Sequence, residues 1–401
     1  MRKVLIVSHH FPPERSGNAS RIYDMAVHLS NLGVRVTVIC PHPTFPTGTF
    51  KRTWKIYTSR NTDGVEVINL WTWQPVSRDP GFVSRILYYL LFPLHAVLWI
   101  LTHPWRFDVI ITSSPPLFTG IPGLFAKKVL RKAWIMDIRD LWIDASISLG
   151  FLRKGSIFEK MSRKFEEICC LNADLIGVTT NELSNRISSR YAGNNLKKKI
   201  VLIPNGVDTD FFYPCSNTKK NQIIYAGNVG HAQDLESVVL AMKYITEKHD
   251  IKLLIVGDGD VRERLEKLTK SEGLDDIVTF TGIVPRDKVR KMLSESLIGL
   301  APLKKLESLE YAVPTKAYEY MACGIPFLGC GNGEIVNLAK ESGAGLIADN
   351  TPEAIASAIV DLLDNPQKMK EMGEKGREYV RRYYDRKTIA RKLKQYVEMI
   401  S

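Results

Sequence analysis

Between Tyr311 and Pro326 the chain sets Lys316 and Glu319 three residues apart, just after Pro314-Thr315 and shortly before Gly324. Proline suits the first position of a helix, and glycine followed by proline suits its end. The first amides of such a helix have no intrahelical acceptor and can hold an anion. Lys316 adds a full positive charge in that turn, and Glu319 shares its helix face. Together they suit a nucleotide, with amides and lysine for phosphate and the carboxylate for ribose hydroxyls. The plainer reading of the same residues is a solvated ion pair on a proline-initiated helix.

Other segments offer compatible chemistry. After an apolar run ending at Val7, the loop Ser8 to Gly17 leads into a helix without a Gly-x-Gly-x-x-Gly pattern, which argues against a nicotinamide or flavin dinucleotide. Gly17 and Asn18 at that helix start would let backbone approach a phosphate. Arg21, one turn on, reads as either a surface charge or an acceptor contact. Asp137-Ile-Arg139-Asp140 closes a predicted strand, so Arg139 could hold a phosphate and Asp140 face a sugar. Alternatively, Arg139 pairs with Asp137 or Asp140. Gly227-Asn228-Val229-Gly230 follows another strand and can turn amides toward a diphosphate. Asp258-Gly259-Asp260 reads as a turn and helix cap rather than a metal pair. Ile283-Val284, after Gly282, could read a base edge through main-chain groups. The histidines lack metal-ligand spacing, and no metal or other cofactor is expected.

These residues need a scaffold. Apolar runs such as Lys3–Ser8, Val34–Cys40, Val65–Leu70, Val109–Thr112, Trp134–Asp137, Leu175–Val178 and Ile200–Ile203 alternate with helical patterns. They imply a parallel sheet covered on both faces. A second set runs from Ile223–Ala226 to Gly345–Ala348. The reading is an α/β chain of two tandem doubly wound, Rossmann-like domains with a cleft between them. The domains are 1–204 and 205–384. The seam lies at Asn205-Gly206-Val207-Asp208, and a C-terminal helix, 385–401, is expected to return to the first domain. Ligands in such sheets gather at the carboxyl ends of the strands.

The chain has 401 residues, 45% of them hydrophobic and 24% charged, and carries a formal net charge of +12. That size suits two domains, and the charge favours anionic partners. Its basic residues are dispersed and do not interleave with aromatics, which disfavours nucleic acid. The six cysteines form no Cys-x-x-Cys pair and read as small buried hydrophobes of a reducing compartment. The chain begins directly on a strand, without a signal-peptide pattern. Residues 82–101 depart from the scheme. They are apolar nearly all round, fall short of the ~20 apolar residues of a spanning helix, and carry Pro93 and His95. With Arg85, His103, Arg106, Trp99 and Trp105, residues 82–106 suit an interfacial position on the inner membrane surface. The plainer reading is a helix buried between the sheet and its neighbours.

Taken together, Phe11-Pro12-Pro13 with Gly17 and Arg21, Thr112 to Pro116, Asp137 to Trp142, Ile203 to Asp208, Gly227 to Gly230, and Pro314-Thr315-Lys316 with Glu319 resemble the retaining GT-B glycosyltransferases of family four. The likeness extends over nearly the whole chain, and is strongest to bacterial members that build surface polysaccharide on a lipid carrier. It implies a UDP-sugar donor bound mainly by the second domain, 205–384, and an acceptor bound by the first, 1–204. Glu319 would hold ribose hydroxyls, Thr315 and Gly230 the diphosphate, and Ile283 and Val284 the base. It also implies a polyprenyl-diphosphate-linked saccharide acceptor and a cytoplasmic protein peripheral on the inner face of the cell membrane. Lys316, Arg139 and Asp140 are the candidates for catalysis. Asn205 and Asn228 join the expected substrate contacts. Two positions differ from the family pattern. Tyr311 stands where a first glutamate is usual, with Glu310 one step out of register, and Asn228 and Gln233 lie where an Arg and a Lys are usual. A UDP-sugar epimerase of the same architecture and an inactive, membrane-associated binding homologue are the alternatives.

Overall fold

The computed structural model describes the chain except residues 15, 46–48, 76–80, 149 and 193–194 and the side chain of Phe82. Met1–Asn205 with Arg386–Ser401 forms one compact unit, and Gly206–Asp385 forms a second.

The first unit is built on strands β1 (Lys3–Val7), β2 (Arg35–Pro41), β3 (Tyr57–Thr62), β4 (Val65–Leu70), β5 (Val109–Ser114), β6 (Ala133–Ile138), β7 (Leu175–Val178) and β8 (Ile200–Leu202). Their order is β3-β4-β2-β1-β5-β6-β7-β8. Helices α1 (Gly17–Asn31), α2 (Phe82–Thr102), α3 (Gly120–Lys128), α4 (Trp142–Ser148), α5 (Ile157–Asn172) and α6 (Asn181–Arg190) connect them. Central strands are apolar on both faces because helices cover both; Leu5, Ile6, Ile110 and Ile111 are fully buried. The sheet is mixed rather than purely parallel, since β3 pairs antiparallel with β4 at the edge. β3 has no apolar alternation to announce it, because neither of its faces is buried. The C-terminal helix, Arg386–Ile400, lays Ile389, Leu393 and Val397 against the core that holds Ile22, Met25 and Leu29 of α1. Its first residue, Arg386, pairs with buried Asp24 and donates from Nε to the Asn205 carbonyl at 3.2 Å.

The second unit has an all-parallel sheet of β9 (Gln222–Ala226), β10 (Lys252–Val256), β11 (Val278–Gly282), β12 (Ile298–Ala301), β13 (Phe327–Cys330) and β14 (Gly345–Ala348). Their order is β11-β10-β9-β12-β13-β14. The helices are α7 (Leu235–Thr246), α8 (Arg262–Ser271), α9 (Arg286–Glu295), α10 (Thr315–Ala322), α11 (Glu334–Ser342), α12 (Pro352–Leu363) and α13 (Pro366–Tyr383). In each unit the strand order reverses once, between β1 and β5 and between β9 and β12. The crevice opened there is where such sheets bind ligands.

Helix α2 corrects one expectation. It runs unbroken through Pro93 for 21 residues, about 31 Å at 1.5 Å per residue, so the run does not fall short of spanning length. Only 22% of its apolar window is buried. Phe92, Ala96 and Ile100 face the interior, whereas Val83, Leu94, Leu98 and Leu101 are at least half exposed. All six cysteines are free, and only Cys215 is exposed.

Candidate active site

In the second unit, the reversal between β9 and β12 is shaped by one tyrosine. These strands pair only over Ile298–Gly299 against Ile223–Ile224, then part. Tyr320 of α10 fills the gap: its hydroxyl accepts from Ala226 N at 3.1 Å and donates to Leu300 O at 2.9 Å. Gly299 makes room for the ring, since a Cβ there would lie 2.3 Å from Tyr320 Cγ. α10 is therefore fixed against the open ends of both strands.

One turn earlier on the same face stands Lys316, only 8% exposed. Its Nζ donates to the Tyr225 hydroxyl at 3.0 Å and lies 4.4 Å from the centre of that ring. Burial pushes the ammonium down to about 8, against an opposing pull from Glu319. Tyr225 passes the bond on to the Asn228 carbonyl. Lys316 thus sits against the loop after β9, with its Cε 3.0 Å from where a Cβ on Gly227 would be. Gly227 has φ of +147°. Behind this loop, the turn after β10 packs backbone to backbone. A Cβ on Gly257 would fall 1.9 Å from Gly227 O, so only glycine fits.

Pro314 sits one step outside α10, at φ −60° and ψ 123°, and Thr315 is the first helical residue. Among the described residues no side chain caps the turn, and Ala317 N donates to the Pro314 carbonyl at 3.0 Å, so it is the first amides of the helix that are left to meet an anion. Gly227, Asn228, Gly230, Pro314, Thr315, Lys316 and Glu319 therefore flank one reversal point, with Gly227 and Asn228 exposed. Ile283, 55% exposed, and Val284 follow β11 at the far edge of the sheet, two strands from β9. Tyr311 is buried, and the Glu310 carbonyl accepts from Glu334 N at 2.8 Å. Asp258 makes the expected turn, accepting from Gly259 N at 2.8 Å, but it does not cap α8, whose N-cap is Val261. Among the described residues, no three or more His, Cys, Asp or Glu side chains gather into a metal-sized group.

In the first unit, Arg21 is not a surface charge, being 3% exposed. Its guanidinium donates to both oxygens of buried Asp137, at 2.6 and 3.0 Å, and to Ile203 O at 2.9 Å. Asp137 also accepts from Ser113 at 3.0 Å, and its charge acts on neighbouring Arg139 as well. Arg139 donates from Nε to Ser113 Oγ at 3.1 Å, and burial beside Arg21 brings it down to about 10. Asp140 is half-buried next to it. Gly17 opens α1 behind the Ser16 cap, with nothing among the described residues within 4 Å of a Cβ placed on it. The Asn18 side-chain oxygen is buried with no partner among the described residues.

Sequence reasoning passed over Tyr225, Gly299 and Tyr320, whose roles depend on strands distant in sequence. It also missed Glu14. This buried carboxylate accepts from Thr44 N at 2.7 Å, Phe45 N at 3.0 Å and His10 Nδ1 at 2.6 Å, holding the loop after β1. Its Pro-Pro-Glu setting was the available signal.

Comparison with known proteins is decisive for the class. A model described as Glycosyltransferase Family 4 matches residues 15–211, and one described as Glycosyl transferases group 1 matches residues 207–379. The chain belongs to the family 4, group 1 glycosyltransferases. It is 23% identical, over 98% of both chains, to an Escherichia coli (strain K12) protein whose name places it in colanic acid biosynthesis as the glycosyl transferase WcaI. Among solved structures, sucrose-phosphate synthase from Thermosynechococcus elongatus aligns with a TM-score of 0.76 at 19% identity, covering 100% of this chain and 99% of that one. Anabaena HepE, solved in complex with UDP and glucose, aligns at 0.68 and 14%, covering 99% and 100%. These likenesses establish the GT-B fold of two Rossmann-like domains. Both family descriptions are of glycosyl transfer, and nothing found supports the epimerase alternative. In this glycosyltransferase, the region flanked by Lys316 and the Gly227 loop falls within the group 1 match, and the Arg21–Asp137 pair within the family 4 match.

Proposed function

We propose that this glycosyltransferase moves a sugar from a UDP-sugar to a saccharide on a polyprenyl diphosphate, with retention and without a metal. It would act on the inner face of the cell membrane during surface-polysaccharide assembly. The observation that carries the proposal is buried Lys316 at an uncapped helix start, held by Tyr225 against the glycine loop of a strand-order reversal. A buried ammonium is unfavourable unless an anion comes to it. The pyrophosphate of a nucleotide sugar meets both the lysine and the amides. Glu319 would take the ribose hydroxyls and main chain at Ile283–Val284 the base, and the UDP held by HepE supports a uridine donor.

Breaking the bond between the sugar's anomeric carbon and the phosphate oxygen leaves negative charge on the diphosphate. Lys316 and the amides stabilise that charge as it develops. The acceptor hydroxyl attacks from the side the diphosphate leaves, its oxygen bonds to the anomeric carbon, and its proton passes to a departing phosphate oxygen. The configuration is kept, and no separate base is required. Lys316 and amides supply positive charge that a metal would otherwise bring.

The lipid acceptor and membrane position are supported by α2. One face packs on its own unit while Leu94, Leu98 and Leu101 stay exposed, so the helix suits lying on a bilayer rather than crossing it.

The deciding experiment offers the purified protein a panel of UDP-sugars with a membrane extract. The glycolipid formed is identified, with its anomeric configuration, in the presence and absence of chelator. Nucleotide uptake without turnover would favour an inactive homologue. No uptake by calorimetry, or a donor lodged away from Pro314–Glu319, would overturn the proposal.

A pH dependence follows from Lys316. The ammonium is present below about pH 8 and is lost above it. kcat/KM for the donor, which reports the free enzyme, is expected to fall as pH rises through about 8. Lys316→Arg should flatten that limb, because arginine stays charged. An unchanged limb in the arginine variant would assign the titration elsewhere.

A further inference from the structure

We infer that the start of α5 and the loop before it form a second membrane-insertion element, directed at anionic lipid. The inference rests on the reading of α2 as lying at a bilayer and extends it to a different part of the fold. Phe151, Ile157, Phe158 and Met161 are 52–75% exposed, a density of large apolar side chains that one helix start and its loop do not ordinarily show to water.

Their outward position is enforced locally. Ser156 caps α5 by accepting from Glu159 N at 3.2 Å, and the Glu159 carboxylate turns back to accept from Gly155 N at 2.5 Å and Arg163 Nε at 2.8 Å. This is a variant of the capping box, and it tucks the acid inward. Ile157, Phe158 and Met161 are left facing out from the first turn and a half.

Charge selects the occupant. Arg153, Lys154 and Lys160 are exposed among these apolar groups, while the nearby acid, Glu159, is buried and committed. Apolar side chains ringed by cations match a bilayer with negatively charged headgroups. The patch also adjoins α2, since the Arg85 guanidinium lies 4.0 Å from the centre of the Phe151 ring. Two elements of one unit would then engage the surface together and limit rotation about α2.

The test is co-sedimentation of the full chain with vesicles of phosphatidylcholine alone or mixed with phosphatidylglycerol. Ile157→Glu with Met161→Glu is expected to weaken partition about ten- to hundredfold at an unchanged melting temperature, since two exposed apolar anchors are lost. Arg153→Gln with Lys154→Gln is expected to weaken it only on the phosphatidylglycerol vesicles. Leu94→Glu with Leu98→Glu is the comparison for α2. If that variant is released while the Ile157/Met161 variant binds like the wild type, the second element is refuted and the α2 reading stands. If the wild type does not bind either vesicle, both fail. If the wild type is a dimer without lipid and the Ile157/Met161 variant a monomer, the patch is a contact between copies and the inference is overturned.

Discussion

Lys316→Ala is expected to turn over donor about a hundred- to a thousandfold more slowly than the wild type, the loss seen when one donor to a developing anion is removed. Single-turnover measurements should place the loss in the chemical step. The fold should survive, because α10 is anchored by Tyr320 through Ala226 N and Leu300 O and not by the lysine. Lys316→Met makes the test sharper. Holding the ammonium down to about 8, from an ordinary 10.5, costs the folded protein on the order of 3 kcal/mol at neutral pH. Methionine fills similar space without that cost, and Tyr225 keeps its bond to the Asn228 carbonyl. The variant should melt higher while working worse. The sign follows from proton binding: below about pH 8 the gain is full, and it fades as pH rises toward 10.5, where the unfolded lysine also loses its proton. A methionine variant that melts lower, or an alanine variant with wild-type rates, would remove Lys316 from its assigned place.

Asp137→Ala should cost about 3–5 kcal/mol and disrupt the first unit, because it strands Arg21 as a buried charge. Arg21 is 3% exposed, and two of its bonds end on this carboxylate. Replacing both partners, as Arg21→Met with Asp137→Leu, should restore most of the loss, since no charge is then left unpaired. Urea unfolding of the two variants measures the difference. If the single and double variants unfold alike, the pair is not what holds this point of the fold. The comparison also bears on function: Arg139 donates to Ser113, which donates to Asp137, so disturbing Asp137 releases Arg139 from its position.

Much of the scaffold was legible in the amino-acid sequence, for a specific reason. Strands covered on both faces are largely apolar, so β1, β10 and β13 announce themselves as short runs between helical patterns. Edge strand β3, Tyr-Thr-Ser-Arg-Asn-Thr from Tyr57 to Thr62, escapes that logic, and the sheet became mixed where a parallel one was expected. The start of α1 and the glycine turn after β10 were readable too, because each is settled by residues within a few positions.

By itself, then, the chain determined the alternation of elements, the two-unit organisation of a GT-B glycosyltransferase, and the helix start at Pro314-Thr315. Tertiary structure decided which charges are buried and what meets them. Arg21 and Asp137 are 116 positions apart, and Lys316 and Tyr225 are 91. Nothing near Arg21 in the chain distinguishes a buried arginine from a solvated one. Burial depends on which strands become neighbours, and a side chain's partner is chosen by that long-range topology rather than by its own surroundings in sequence.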